Sequence, residues 1–268
     1  MSTLQASGFG QIPPDGGLKR NDTVRKMELG TVISDTMGNS YRYVKANEAL
    51  FEGGLVTAVA KAAFPTAVLV DGTVNAASAT NKIHVDAHVA DLTPNQFRGY
   101  WLSIPAAEAT NTADGGRAIR IKSHDSVDWS SSTESDIYLE DNIAEEWTDD
   151  LALSLYNPYL MENVDASTEI VMGVAIGTIA AGSYGFIQVG GHCAAVYCGG
   201  TTSLAIVANE PIVPGATIAT DMIAGAGMGM AGSLEADIKE AANTPVIALQ
   251  ALAANTQGYV EAFIKGLV

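Results

Sequence analysis

From residue 29 to the C-terminus, apolar and polar positions alternate in short runs separated by Gly, Asn, Asp and Pro. The clearest run is 82–91, where Ile83, Val85, Ala87 and Val89 alternate with His84, Asp86 and His88, giving one apolar and one polar face. Runs of the same kind are GTVIS, SYRYVKA, GLVTAVA, AVLVDG, GYWLSIP and GRAIRIK. Further on come IVMGVAIGTI, YGFIQVGG, CAAVYCGG, TSLAIVA, TPVIALQAL and GYVEAFIKGLV. Many short strands at close spacing predict a mainly β protein, with β-sandwich or β-barrel-like domains and one or two short helices. One helix is expected over 142–150, because Ile143, Trp147, Leu151 and Leu155 recur every four residues; Leu151, Leu153 and Leu155 also alternate as in a strand, so both readings stand there. The other starts at Ser233, an N-cap residue with Glu235 and Asp237 near the positive helix end. No internal period is evident, which excludes solenoids and propellers.

Pro13-Pro14-Asp15-Gly16-Gly17 interrupts any regular element, and Lys19, Arg20, Arg25 and Lys26 follow as a basic cluster. Residues 1–28 are therefore expected to be an extended, flexible arm that orders on a partner. Residues 29–165 are expected to form a first β-rich domain containing an acidic segment, and 166–268 a second. The longest uncharged stretch is Ile170–Asn209. Its first part contains Gly173 and Gly177 in GxxxG spacing, but Gly182-Ser183 and Gly185 break it before about 18 apolar residues accumulate. It reads as strand, turn, strand, and MSTLQASGFG lacks the basic and apolar regions of a signal peptide, so a soluble protein without a membrane partner is expected.

Composition narrows the classes. Of 268 residues, 47% are apolar and 16% charged, too hydrophobic for a disordered chain, and the 27 glycines show no triplet period. The net charge of −16 is unevenly placed: residues 1–122 hold 12 basic against 11 acidic residues, and 123–268 hold 2 against 19. Between Asp125 and Glu169 lie 13 acidic residues and no basic one. Such a segment repels phosphate backbones, so no nucleic-acid partner is expected, and it suits a solvated face. Cys193 and Cys198 are five apart, on opposite faces of a regular strand, and two cysteines do not make a disulfide framework.

Candidate chemistry is sparse. In a strand, His84, Asp86 and His88 share a face, but the ends of that row are about 13 Å apart, too far to ligate one ion together. An H-x-D…H arrangement would use His84 and Asp86 with His124 or His192; a polar outer face is the plainer reading. Gly227, Gly229 and Gly232 match G-x-G-x-x-G. The preceding TIATDMIAGA is a poor strand, however, and VIALQAL ends without the acidic residue a dinucleotide needs, which leaves a flexible loop. Ala181-Gly182-Ser183-Tyr184-Gly185 fits a hairpin turn better than a nucleophile elbow. No P-loop, H-E-x-x-H, paired CxxC or calcium loop occurs. No catalytic, cofactor-binding or metal residue is assigned, and no enzyme is expected.

Two stretches carry a resemblance. YRYVKANEALFEGGLV (41–56) and GVAIGTIAAGSYGFIQVGGHC (173–193) resemble segments of capsid decoration or cement proteins encoded in tailed-phage head modules. The resemblance implies a structural virion protein on the capsid exterior that bridges neighbouring capsomers, with the major capsid protein as partner and no fixed site residues. Joined to the apolar run Ile170–Asn209, it suggests a homotrimer with the acidic segment outward. Two other classes stand beside it. One is another virion component, a tail or fibre protein or a carbohydrate-binding β module, which wants exposed aromatic residues; the other is a metal-dependent β-fold enzyme using His84 and Asp86.

Overall fold

The computed structural model describes residues 17–60, 62–63, 74–75, 80–85, 91–103, 117–128, 130–131, 135–144, 154–164, 170–199, 206, 208–209, 211–214, 227–228, 245–253 and 257–266. The chain divides into two compact units, Met1–Val59 with Pro158–Val268, and Ala60–Asn157. The first contains β1 (Val32–Ser34), β2 (Ser40–Ala46), β3 (Leu55–Ala58), β11 (Leu160–Asn163), β12 (Gly173–Ala175), β13 (Tyr184–Gly199), β14 (Val213–Pro214), β15 (Gly227–Met228), β16 (Val246–Ala248) and β17 (Gln257–Ile264). The second contains β4 (Ala62–Ala63), β5 (Val74–Asn75), β6 (Lys82–Val85), β7 (Trp101–Ser103), β8 (Ala118–His124), β9 (Ser135–Leu139) and β10 (Ser154–Tyr156). The fold is mainly β, and the described residues include no helix. Residues 142–144 of the expected 142–150 helix are irregular, and 145–150 and the Ser233 helix lie outside the described residues.

The division differs from the expected boundary after residue 165. β11 lies before that point, yet pairs parallel to β2 and antiparallel to β3, and β3 pairs with β12 beyond it. The chain thus leaves the first unit after Val59, builds the second, and returns at Pro158.

In the first unit the pairing closes on itself. β2 pairs with β11, β11 with β3, β3 with β12, β12 with β13, and β13 again with β2, a small five-stranded barrel. Alternation sends Val44, Ala46, Val56, Met161, Ala175, Ile187 and Val189 inside, where they are fully buried. The outer wall is covered twice. Over β2 and β13, Tyr41, Tyr43 and Phe186 are covered by Leu29 and Ile33. Over β3 and β12, Leu55 and Val174 pack against Cys193, Val196, Val260, Ala262 and Ile264 of a second sheet.

β13 builds both layers. Its first part pairs with β2 and β12, and from Gly191 it pairs with β17. The change of sheet falls at Gly190–Gly191. Gly191 has φ +88°, and a Cβ there would sit 2.3 Å from Asn39 Oδ1, the atom that accepts the His192 N–H at 2.8 Å. The strand–turn–strand reading of the first part of Ile170–Asn209 holds, but YGFIQVGG continues through His192 into CAAVYCG as one 16-residue strand. Val171, Val174, Phe186, Ile187, Val189 and Val196 are all buried within the unit. The apolar character of 171–189 therefore comes from intramolecular burial on both strand faces, and a trimer does not follow from that part of the run.

The second part of the expected flexible arm is also corrected. Asp22 makes an antiparallel bridge to Tyr184, with its N–H 2.8 Å from the Tyr184 carbonyl and the reverse bond equally short. Arg20, 6% exposed, pairs with Asp22 at 2.5 Å and 2.9 Å, and the Tyr43 hydroxyl donates to the same carboxylate at 3.1 Å. Lys19 pairs with Glu52, and Arg25 with Glu28. Residues 17–28 form a strap on the barrel wall, because Lys19, Arg20 and Arg25 find acids within the fold. Residues 1–16 lie outside the described residues.

The second unit is one antiparallel sheet, ordered β4-β10-β7-β8-β9-β6-β5. Ile83, Val85, Leu102, Ile119, Ile121, Ile137, Leu139, Ile143 and Leu155 form its core.

Candidate interaction surface

β17 alternates strictly. Val260, Ala262 and Ile264 enter the core, so Gln257, Tyr259, Glu261 and Phe263 take the other face. Tyr259 is 57% and Phe263 45% exposed. Tyr197 lies opposite Tyr259 on β13, and Ile247 opposite Phe263 on β16. Leu249, 40% exposed, anchors its N–H to the Glu261 carbonyl at 2.7 Å. Phe51, Tyr197 and Tyr259 make a chain of edge contacts with centroids 5.6 and 5.4 Å apart, their planes inclined by 89° and 69°. Beside Phe263 a half-open groove of about 400 Å³ separates the β1–β2 turn from the ends of the sheet, with Met37, 86% exposed, on its rim. Tyr259, Phe263 and Leu249 thus lie together as exposed apolar side chains on one sheet face.

The sequence reading missed this patch. Tyr259 and Phe263 alternate with the core residues of GYVEAFIKGLV, so they read as part of a strand and not as an exposed aromatic cluster. The available signal was Glu261 between them, since a charged residue marks the solvent face.

A second cavity, about 210 Å³ and half-open, lies between the strap and the barrel wall, lined by Leu18, Lys19, Tyr41, Glu52, Gln188 and Cys193 among others. Its polar groups are committed within the fold. Gln188 Nε2 donates to the Gly190 and His192 carbonyls at 3.2 and 2.8 Å, the Tyr41 hydroxyl lies 3.3 Å from Asp35 Oδ2, and Lys19 pairs with Glu52. Burial pushes the Tyr41 hydroxyl up to about 12, with the neighbouring Asp35 adding to it, so it stays a phenol.

Both cysteines are free and buried. Their placement on opposite faces does not hold. Between Cys193 and Val196 β13 advances three residues while β17 advances two, and this bulge reverses the alternation, sending Cys193 and Cys198 into the same core. Burial pushes Cys198 up to about 12 and raises Cys193, so both remain weakly nucleophilic thiols.

His84 sits on the outer face of β6, its Nδ1 3.2 Å from Asp136 Oδ1, while Lys82 Nζ lies 2.7 Å from Asp136 Oδ2. Burial works against the Asp136 charge, but these bonds from Lys82 and His84 hold its carboxyl below the usual range. Asp86 and His88 lie outside the described residues. A bulge in β8 between Ile121 and Ser123 turns His124 inward, opposite Ile137, whereas His84 is opposite Asp136, the next residue of β9. His84 and His124 are therefore on opposite faces of the sheet and cannot share an ion. Both His124 nitrogens are used: Nε2 accepts the Phe97 N–H at 3.0 Å and Nδ1 donates to the Asp125 carbonyl at 2.7 Å. Burial lowers its pKa, which keeps this tautomer neutral. His192 belongs to the other unit, 3.7 Å from Glu261. Among the described residues no three His, Cys, Asp or Glu side chains gather as a metal would require.

The other glycine motifs resolve simply. Gly182, with φ +76°, closes the turn before β13, as the hairpin reading expects. Gly227–Met228 is a short strand beside Cys198 rather than the start of a loop, and 229–232 lie outside the described residues. No protein-family model, curated protein or solved structure matches the chain.

Proposed function

We infer that this is a structural virion protein that decorates and cements the exterior of a tailed-phage capsid, with the major capsid protein as its partner and no catalytic role. The observation that carries the reading is where the two resembling stretches meet. Residues 41–56 supply β2 and the start of β3, and 173–193 supply β12 and much of β13. Although over a hundred residues apart, they pair directly, from Tyr184↔Lys45 to Gln188↔Tyr41, and with β11 they close the barrel. The resemblance thus falls on one structural module. The barrel unit is the part that docks on the shell in this reading, and the acidic stretch of the second unit stays in water, where it suits an outward face.

The carbohydrate-binding alternative gains exposed aromatic residues at Tyr259 and Phe263, with half-buried Tyr197 beside them. Yet the inclined Phe51–Tyr197–Tyr259 chain does not make the flat platform on which a sugar ring stacks.

Cosedimentation of the purified chain with shells of the phage that encodes it tests the reading. Saturable binding from outside, to intact closed particles, is expected. A chain that is absent from purified virions and does not bind such shells would overturn it.

A further inference from the structure

The exposed face of β17 holds an arrangement of charge that its apolar area alone does not explain. Along it run Tyr259, Glu261 and Phe263, and one residue past the strand end comes Lys265, exposed and continuing the alternation after buried Ile264. The Lys265 N–H still bonds to the Pro245 carbonyl at 2.8 Å, so the strand geometry continues to this residue. Glu261 and Lys265 therefore flank Phe263 symmetrically, each about 6.5 Å away along the strand.

We propose that this face is an interface between two copies of the chain, related by a two-fold axis that passes at Phe263. Such an axis reverses the strand direction. Glu261 of one protomer then meets Lys265 of the other, symmetry repeats the contact, and the Phe263 rings pack between them. An axis at Glu261 would set carboxylate against carboxylate, so the charge pattern selects one register. Ile247, Leu249 and Tyr259 add apolar area around the axis.

Charge also argues for a second copy as the occupant. The chain carries 30 acidic and 14 basic residues, and most of its surface repels a like molecule. On this face the formal charges of Glu261 and Lys265 cancel, with His192 beside Glu261 at 3.7 Å, and the unlike groups meet across the axis. The proposal concerns the isolated chain, needs no shell, and stands or falls separately from the virion reading.

Sedimentation velocity of the full chain over a dilution series tests it. The wild type sediments as a dimer that dissociates on dilution. Glu261→Lys or Lys265→Glu alone places like charges across the axis and weakens dimerisation at least about ten-fold. The double reversal restores it to within about three-fold, since the pair re-forms with its signs exchanged. Circular dichroism and thermal melting check that each variant is folded, and Phe263→Ala, which leaves the charges untouched, weakens the dimer independently. A monomeric or trimeric wild type, single reversals without effect, or a double reversal no better than the singles would each overturn the proposal.

Discussion

The two units keep apolar side chains from water in different ways. In the barrel unit, β2 and the first part of β13 are covered on both faces, Val44 and Ile187 facing inward and Tyr43 and Phe186 lying under the strap. The sheet of the second unit has its core on one side and groups such as Lys82, His84 and Asp136 on the other. The charge follows this difference. The smaller unit has 15 acidic and 6 basic residues in 98, the larger 15 and 8 in 170, so charge is denser where one face meets solvent. A long uncharged run thus reflects double burial, and strict alternation reflects single burial. An apolar stretch taken from the sequence is not in itself an interface.

The sharpest way to break this comparison is to empty one core and watch the other. Phe186→Ala removes a fully buried ring 5.2 Å from that of Tyr43 and should cost the barrel unit about 3–5 kcal/mol, while Ile121→Ala should cost the second unit about 2–5 kcal/mol. Hydrogen exchange read by peptide should show each loss confined to its own unit. Loss of protection in both units from either substitution would mean they fold as one. Next comes the strap. Asp22→Ala leaves Arg20 buried without its carboxylate and the Tyr43 hydroxyl without this acceptor, at about 3 kcal/mol to the barrel unit by thermal melting. A change no larger than that of an exposed substitution would return residues 17–28 to the status of a loose arm.

Acid should separate the units more gently. Burial lowers the pKa of His124, so below the ordinary value of 6.5 the unfolded chain binds a proton that the folded unit refuses. This stability is fully present above that pH and is lost as the pH falls through it toward the lowered folded value. Asp35 and Asp136, both lowered, keep their contributions until the pH approaches the ordinary carboxyl value of 3.8. Between pH 7 and 5 the second unit should therefore weaken through His124, and His124→Gln should flatten the slope whatever its effect on the level. The smallest effect belongs to Lys82→Ala. Its ion pair with Asp136 is on the exposed face, and at physiological salt the melting of the second unit should not move.

Much of the architecture was legible in the alternation. SYRYVKA is β2 to the residue, and GRAIRIK and GYVEAFIKGLV overlap most of β8 and β17. What was hidden depends on contacts between distant segments. The bulges at 121–123 and 193–196 each add one residue to one strand, and that residue inverts every inward and outward assignment beyond it, so simple alternation could not show that His124 faces inward or that the two cysteines share a core. The strap was hidden because Lys19 and Arg20 look like a free basic cluster until Glu52 and Asp22 are seen beside them. The insertion of the second unit was hidden because β11 is too short to announce that it returns to β2.

The central claim is that the barrel unit docks on the capsid while the second unit stays in water. Hydroxyl-radical footprinting of the chain, free and bound to shells, tests it most directly. The account predicts shielding on binding confined to exposed side chains of Met1–Val59 and Pro158–Val268, with Tyr138 and Trp101 on the polar face of the second unit unchanged in reactivity. Shielding of Tyr138 and Trp101 with the barrel unit left fully reactive would contradict it.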